Sequence, residues 1–131
     1  MISQPVAIRS SAPTPRPEAV LTKAVVAVAA QLQLKNRELA AMLGMSEANV
    51  SRLRSGRYEL VRSKQKEWEF AVELVKLHRA LLRLFASPDA NIHAWLTSDN
   101  LDLKGKPLEI MQTARGMISV TDYLEAYSYL A

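Results

Sequence analysis

The chain has no cysteine, which removes disulfides, thiolate nucleophiles and cysteine-based zinc sites from consideration. No apolar run approaches the ~20 residues that cross a bilayer. Val20 to Ala30 comes nearest, but Lys23 interrupts it, and no secretory pattern precedes it. Strict apolar–polar alternation is missing, so no strand is expected, and there is no internal repeat. The four glycines do not gather into a phosphate-cradling loop. His78 lacks a ligand partner three or four residues away, the two histidines do not pair with each other, and no Ser-His-Asp spacing stands out. Asp99, Asn100 and Asp102 lack the remaining positions of a calcium loop. These absences leave an all-α, soluble, cytoplasmic protein, bacterial in style, with no enzyme activity, cofactor, metal or membrane contact expected.

Basic charge in the first half of the chain is the leading positive feature. The protein has 131 residues, 49% apolar, with a net charge of +4; this is about one domain, or a small domain with an appendage. Residues 1–63 hold nine Lys/Arg against four acids, and residues 64–131 hold eight against nine. An anionic partner therefore belongs with the first half, while the near-neutral, apolar second half suits protein contacts.

The basic half is organised around Asn36 to Gly56, NRELAAMLGMSEANVSRLRSG. Asn36 is a candidate N-cap, and Glu38 to Leu43 form a strong helical run. Gly44 ends that helix because glycine takes positive φ without a Cβ clash. Met45 bridges the turn, and Ser46 caps a second helix from Glu47 to Arg54. Leu39, Leu43, Met45, Val50 and Leu53 fall on the inner face of a helix-turn-helix, with small Ala40 where the helices cross. An ordinary αα-hairpin would account for the apolar spacing and Gly44. It would not account for a polar second helix followed by Arg57, Arg62, Lys64 and Lys66. The expected DNA-binding residues are Ser46, Glu47, Asn49, Ser51, Arg52, Arg54 and Arg57. The first three lie at the end that enters the major groove, with Ser51 and Arg52 a turn further in. Arg54 and Arg57, helped by Lys35 and Arg62, would hold phosphates. Asn49 has a competing role as a capping residue. One copy reading ~4–5 base pairs binds weakly, so a homodimer on a palindromic operator is expected.

Along the rest of the chain, the prolines at 5, 13, 15 and 17 make residues 1–17 a disordered or extended arm, with Arg9 and Arg16 in it. A helix from near Glu18 to near Leu34 presents Val20, Leu21, Ala24, Val25, Val28 and Leu32 to the helix-turn-helix. The DNA-binding domain spans 18–63, with Tyr58 and Leu60 of its connector folding back onto the core. A long linking and dimerisation helix occupies 64–86 and carries two apolar stripes. Trp68, Val72, Val75, Leu82 and Phe85 form one; Phe70, Leu74, Leu77, Leu81 and Leu84 form the other. A monomer's surface helix needs only one, so the second should meet another domain or subunit. Residues 87–131 form a C-terminal unit of short helices. Ser87-Pro88 caps the first of them, with Asp89 near its positive end. Pro107 starts the second, which Gly116 ends. Ser119 and Asp122 read as a capping box for a last helix from Val120 to about Tyr129.

The block from Ala94 to Ala126, AWLTSDNLDLKGKPLEIMQTARGMISVTDYLEA, resembles the toxin-binding domain of the Xre/MbcA/ParS antitoxins. Trp95-Leu96, Asn100, Leu103, Gly105, Pro107, Leu108, Gly116, Val120 and Leu124 match that pattern in order. With the helix-turn-helix upstream, the resemblance covers residues from about 20 onward. It implies an antitoxin whose partner is a RES-domain toxin that attacks NAD. The C-terminal region would cover the toxin's active-site entrance, and the complex would repress its own promoter. Gly105, Pro107, Gly116, Trp95 and Leu108 read as structural positions. Toxin contacts are expected from the loop, at Asn100 and Lys104, and from the end of the chain, at Tyr123, Tyr127, Tyr129, Leu130 and Ala131, since aromatic side chains are favoured interface anchors. Tyr127 and Tyr129 could instead pack on the small core. Two other functions fit the residues: a stand-alone dimeric helix-turn-helix repressor, and an interaction module with a degenerate helix-turn-helix.

Overall fold

Proline at position 17 starts the first helix because its missing N–H would have had no intrahelical partner there. The computed structural model describes residues 14–85 and 88–130. Among these the chain folds into seven helices: α1 (Pro17–Gln31), α2 (Asn36–Leu43), α3 (Glu47–Arg54), α4 (Gln65–Leu84), α5 (Pro88–Thr97), α6 (Pro107–Ile110) and α7 (Ala114–Leu130). An isolated bridge between Asn100 and Gly105 accompanies them. Most of the arm, including Arg9, and the Ser87 cap and Ala131 lie outside the described residues. So do the side chains of Pro88, Asp89 and Leu130.

Val25, Val28 and Ala29 form the inner face of α1, and Leu32, just past its end, is buried with them. Val20, expected on that face, is 52% exposed. The helix ends at Gln31 rather than Leu34, and Gln33 takes φ 57° in the turn that follows. Its Thr22 hydroxyl accepts from the Leu60 N–H (3.0 Å), which pins the connector after α3 against the core. Tyr58 and Leu60 turn inward as expected, Leu60 completely.

The cap of α2 falls one residue earlier than expected. Lys35 is the cap and Asn36 the first helical residue. The Glu38 carboxylate accepts the Lys35 backbone N–H at 2.8 Å, so a side-chain bond from inside the helix satisfies this N–H at its start without an asparagine cap. Gly44 ends α2 with φ 69°, and its N–H and that of Met45 both donate to the Ala40 carbonyl. Ser46 Oγ accepts from the Asn49 N–H (3.1 Å), capping α3. Leu39, Leu43, Val50 and Leu53 are buried between the two helices, and Met45 is half-buried.

Helix α4 buries the stripe through Leu74, Leu77 and Leu81 within the chain. It packs on α1 and α2, and most extensively on α7. Phe70 and Glu73 line one hollow with Ala114, Met117 and Ile118, whereas Leu84 and Phe85 line another with Tyr123, Leu124 and Tyr127, so α4 and α7 run parallel. Ala71, Leu74, Leu77, Ala80 and Leu81 are buried together with Met117, Val120 and Leu124 in one continuous core. Each fully buried leucine contributes about 1.5–3 kcal/mol. Val72 and Leu82 remain 39% and 42% exposed.

The last helix corrects the expected boundaries. Helix α6 ends at Ile110, before Gly116, and α7 begins at Ala114 instead of Val120. The Thr113 hydroxyl accepts the Gly116 N–H (3.0 Å), so Thr113, not Ser119, supplies the cap. Gly116 lies inside the first turn of α7. A Cβ there would drive into the Ile110 carbonyl oxygen and stand 2.8 Å from its carbon. The glycine thus serves close approach of two backbones, not helix termination.

Candidate functional site

Burying Val50 and Leu53 turns the opposite side of α3 outward. Glu47, Ser51, Arg52 and Arg54 are exposed there, and Asn49 is half-buried. Ser46 is exposed at the helix start, its hydroxyl oxygen engaged in the cap. Arg52 donates to Asn49 Oδ1 at 2.8 Å, which holds the guanidinium against the helix surface near its N-terminal half. Ser46, not Asn49, is the capping residue: the Asn49 N–H is the group capped, and its side-chain oxygen holds Arg52. Arg54 donates to the Leu34 carbonyl at 2.6 Å, tying the end of α3 to the turn after α1. Arg57 Nε donates to Ser55 Oγ at 3.1 Å. The Arg57 backbone N–H bonds to the Arg52 carbonyl (2.8 Å), and Gly56 takes φ 81° to allow that closure.

The surrounding cations are unevenly committed. Arg16 forms a two-pronged pair with Glu59 at 2.7 and 3.1 Å, and this exposed pair raises the Arg16 pKa through the hydrogen bond and charge of Glu59. Arg62 lies 5.3 Å from the Trp68 ring centre. Lys64 lies 5.3 Å from that of Tyr58 and donates to its hydroxyl; that contact raises the Lys64 pKa. Lys35 and Arg37 are exposed beside the helix-turn-helix.

A second exposed cluster occupies the C-terminal unit. Asn100 closes the loop before α6. Its Oδ1 accepts the Leu103 N–H (3.0 Å), its carbonyl accepts those of Lys104 and Gly105, and its own N–H donates to the Gly105 carbonyl. Asn100 is thus half-buried and committed to loop geometry, while Lys104 is exposed with φ 63°. Tyr123 stacks near Trp95, Tyr127 meets Tyr123 edge-on, and both hydroxyls donate to Asp102 Oδ2. Hydrogen bonding with Tyr127, burial and the Asp102 carboxylate push the Tyr123 hydroxyl well above the usual tyrosine range. Tyr129 projects separately and is 91% exposed. The sequence reading missed Leu101, 92% exposed at the loop tip, along with Phe85 and Asp102 as members of the aromatic cluster. An isolated leucine in a polar loop was a usable signal for the first. The other two depend on packing between α4, α7 and the loop.

Among the described residues, no cluster of His, Asp and Glu could hold a metal ion, and no helix is long and apolar enough to cross a membrane. His78 is buried in α4 with Nε2 unpartnered.

The chain matches two family models. Residues 11–76 match the antitoxin Xre-like helix-turn-helix domain, and residues 80–129 match the antitoxin Xre/MbcA/ParS C-terminal toxin-binding domain. No curated protein matches the chain. The first matched region ends and the second begins within α4; the first contains the exposed α3 face and the second the aromatic C-terminal cluster. The chain belongs to the Xre-type antitoxins, with a helix-turn-helix DNA-binding domain followed by an Xre/MbcA/ParS toxin-binding domain.

Proposed function

We propose that this antitoxin neutralises a RES-domain toxin that degrades NAD, and that it represses its own operon. The observation that carries this reading is the presence in one chain of an exposed, arginine-bearing α3 and a toxin-binding unit whose last helix exposes Tyr127 and Tyr129. Ser46, Glu47, Asn49, Ser51 and Arg52 would face bases, and Arg54 and Arg57 phosphates. Asn100, Lys104, Tyr123, Tyr127, Tyr129, Leu130 and Ala131 would face the toxin. Residues 1–17 would form an arm, 18–63 and 87–131 the two functional domains, and 64–86 the helix between them. The protein would act in the cytoplasm.

Two copies would bind a palindromic operator, since one recognition helix reads too few base pairs for tight binding. Helix α7 already covers much of the apolar surface of α4. The second copy would instead use the open apolar groove along Val26, Ala27, Ala30 and Leu53, beside the end of α3. A sedimentation measurement giving a monomer at micromolar concentration would contradict this.

The test is copurification of the tagged chain with a RES-domain protein encoded next to it, alongside binding to the DNA upstream of both genes. The reading expects a stable complex and promoter binding that weakens steeply with salt. A stand-alone repressor would bind the promoter without the complex. A pure interaction module would give the complex without the promoter.

A further inference from the structure

The aromatic cluster is also a hollow, and its chemistry selects a particular kind of side chain. Leu84, Phe85, Trp95, Tyr123, Leu124 and Tyr127 line an open space of about 250 Å³. The Trp95 and Tyr123 rings lie within 20° of parallel, with centres 6.4 Å apart. Tyr127 meets Tyr123 edge-on at 4.9 Å, and Phe85 meets Trp95 at 6.4 Å.

Asp102 stands at the hydroxyl end of the two tyrosines. Both donate to its Oδ2, at 2.7 and 3.4 Å. Among the described residues, Oδ1 receives no hydrogen bond and no Lys or Arg pairs with this carboxylate. An anionic guest would be repelled by Asp102 and by the negative ring faces, and an aliphatic guest would leave the carboxylate unused. A cation satisfies both, because aromatic faces attract cations within about 6 Å of the ring centre and a carboxylate adds charge-assisted hydrogen bonds. A guanidinium fits better than an ammonium, being planar enough to stack on a ring while its edge reaches a carboxylate oxygen. The other tryptophan already shows such a contact within the chain, with Arg62 over Trp68. Among the described residues, Trp95 has no cation over it.

We propose that this hollow seats an arginine side chain of the toxin, its guanidinium packed against the aromatic cluster of Trp95, Tyr123 and Tyr127 and donating to Asp102 Oδ1. The inference rests on the reading of this unit as a toxin-binding domain and deepens it by naming the group recognised.

The test is an NMR titration of the full chain with N-acetyl-arginine amide, its uncharged citrulline analogue and the lysine analogue. The Trp95 indole and the Tyr123 and Tyr127 ring signals report on the hollow, and the Trp68 indole serves as the internal reference. The arginine probe should shift the hollow signals saturably, with citrulline binding about fivefold more weakly and lysine falling between. Asp102→Asn can still accept both tyrosine hydroxyls, so it should keep the fold but lose most of the preference for arginine over citrulline. Should that variant unfold, the wild-type preference must still shrink as salt is raised. Equal response to arginine and citrulline, a preference for lysine, no saturable shift, or a preference that salt leaves unchanged would overturn the assignment. Because no toxin is present, the result is separate from the proposed function. Neutralisation without arginine binding would overturn the hollow's role alone, and arginine binding without neutralisation would support that role while counting against the function.

Discussion

Gly116 packs so closely on Ile110 that a Cβ added to the glycine would overlap the Ile110 carbonyl oxygen. The first turn of α7 can lie against α6 only because position 116 has no side chain. Gly116→Ala should therefore destabilise the C-terminal unit by about 3 kcal/mol or more, at the upper end of overpacking costs, despite alanine's higher helix propensity. Thermal or urea unfolding measures this. A variant as stable as wild type would mean that α6 and α7 separate without cost.

Arg52 and Arg57 should behave differently on DNA. Arg52→Ala should remove about 1–3 kcal/mol of discrimination between operator and mismatched sites, as expected for a base contact. Arg57→Ala should weaken binding to all sequences alike and lower the salt slope. Asn49→Ala frees Arg52 from its 2.8 Å partner, so it should lower discrimination by less than Arg52→Ala. Competition binding with mutated operators measures each effect. Unchanged discrimination in Arg52→Ala would remove α3 from the groove.

His78 gives the fold an acid sensitivity. Burial pushes its pKa below the ordinary 6.5, so protonation favours the unfolded chain. The neutral histidine leaves stability intact above pH 6.5, and stability should begin to fall as pH drops below that value and continue down through the lower folded-state pKa. His78→Gln should flatten this slope between pH 6.5 and about 5, where carboxylates have scarcely begun to protonate. Denaturant unfolding across that range measures it. An equal slope in both proteins would assign the effect to other groups.

The all-helical class, the helix-turn-helix and the identity of its buried residues were legible because capping, glycine and 3.6-residue spacing act locally. Ser46, Gly44 and the span of α3 needed nothing beyond the neighbouring residues. Gly116 misled because a glycine near a helix end and a glycine at a backbone crossing look alike in one dimension, and only the position of Ile110 separates them. Of the two stripes expected on α4, the one through Leu74, Leu77 and Leu81 is buried, whereas Val72 and Leu82 of the other stay exposed, and the partner of the buried stripe depends on α7 returning parallel to α4. The exposed residues of α3 were legible as candidates. The Arg54 bond to Leu34 and the Asp102 contacts with Tyr123 and Tyr127 span 20 residues or more and leave no local trace.

Ending the chain after Ala126 removes Tyr127, Tyr129, Leu130 and Ala131 while leaving α3 untouched. Toxin neutralisation should be lost, and operator affinity should stay within about twofold of wild type, since distant sites contribute independently. Growth of toxin-expressing cells and promoter binding measure the two arms. Protection by the truncated chain would place the neutralising contacts earlier, in the loop and on the Trp95 and Tyr123 side of the hollow.

The most direct measurement is cellular NAD in cells expressing a RES-domain protein encoded beside this chain, alone and together with it. NAD should fall when the RES-domain protein is expressed alone and be held near its starting level by co-expression, with Arg52→Ala protecting as well as wild type. NAD that falls equally with and without the chain, or that never falls, would contradict the proposed function.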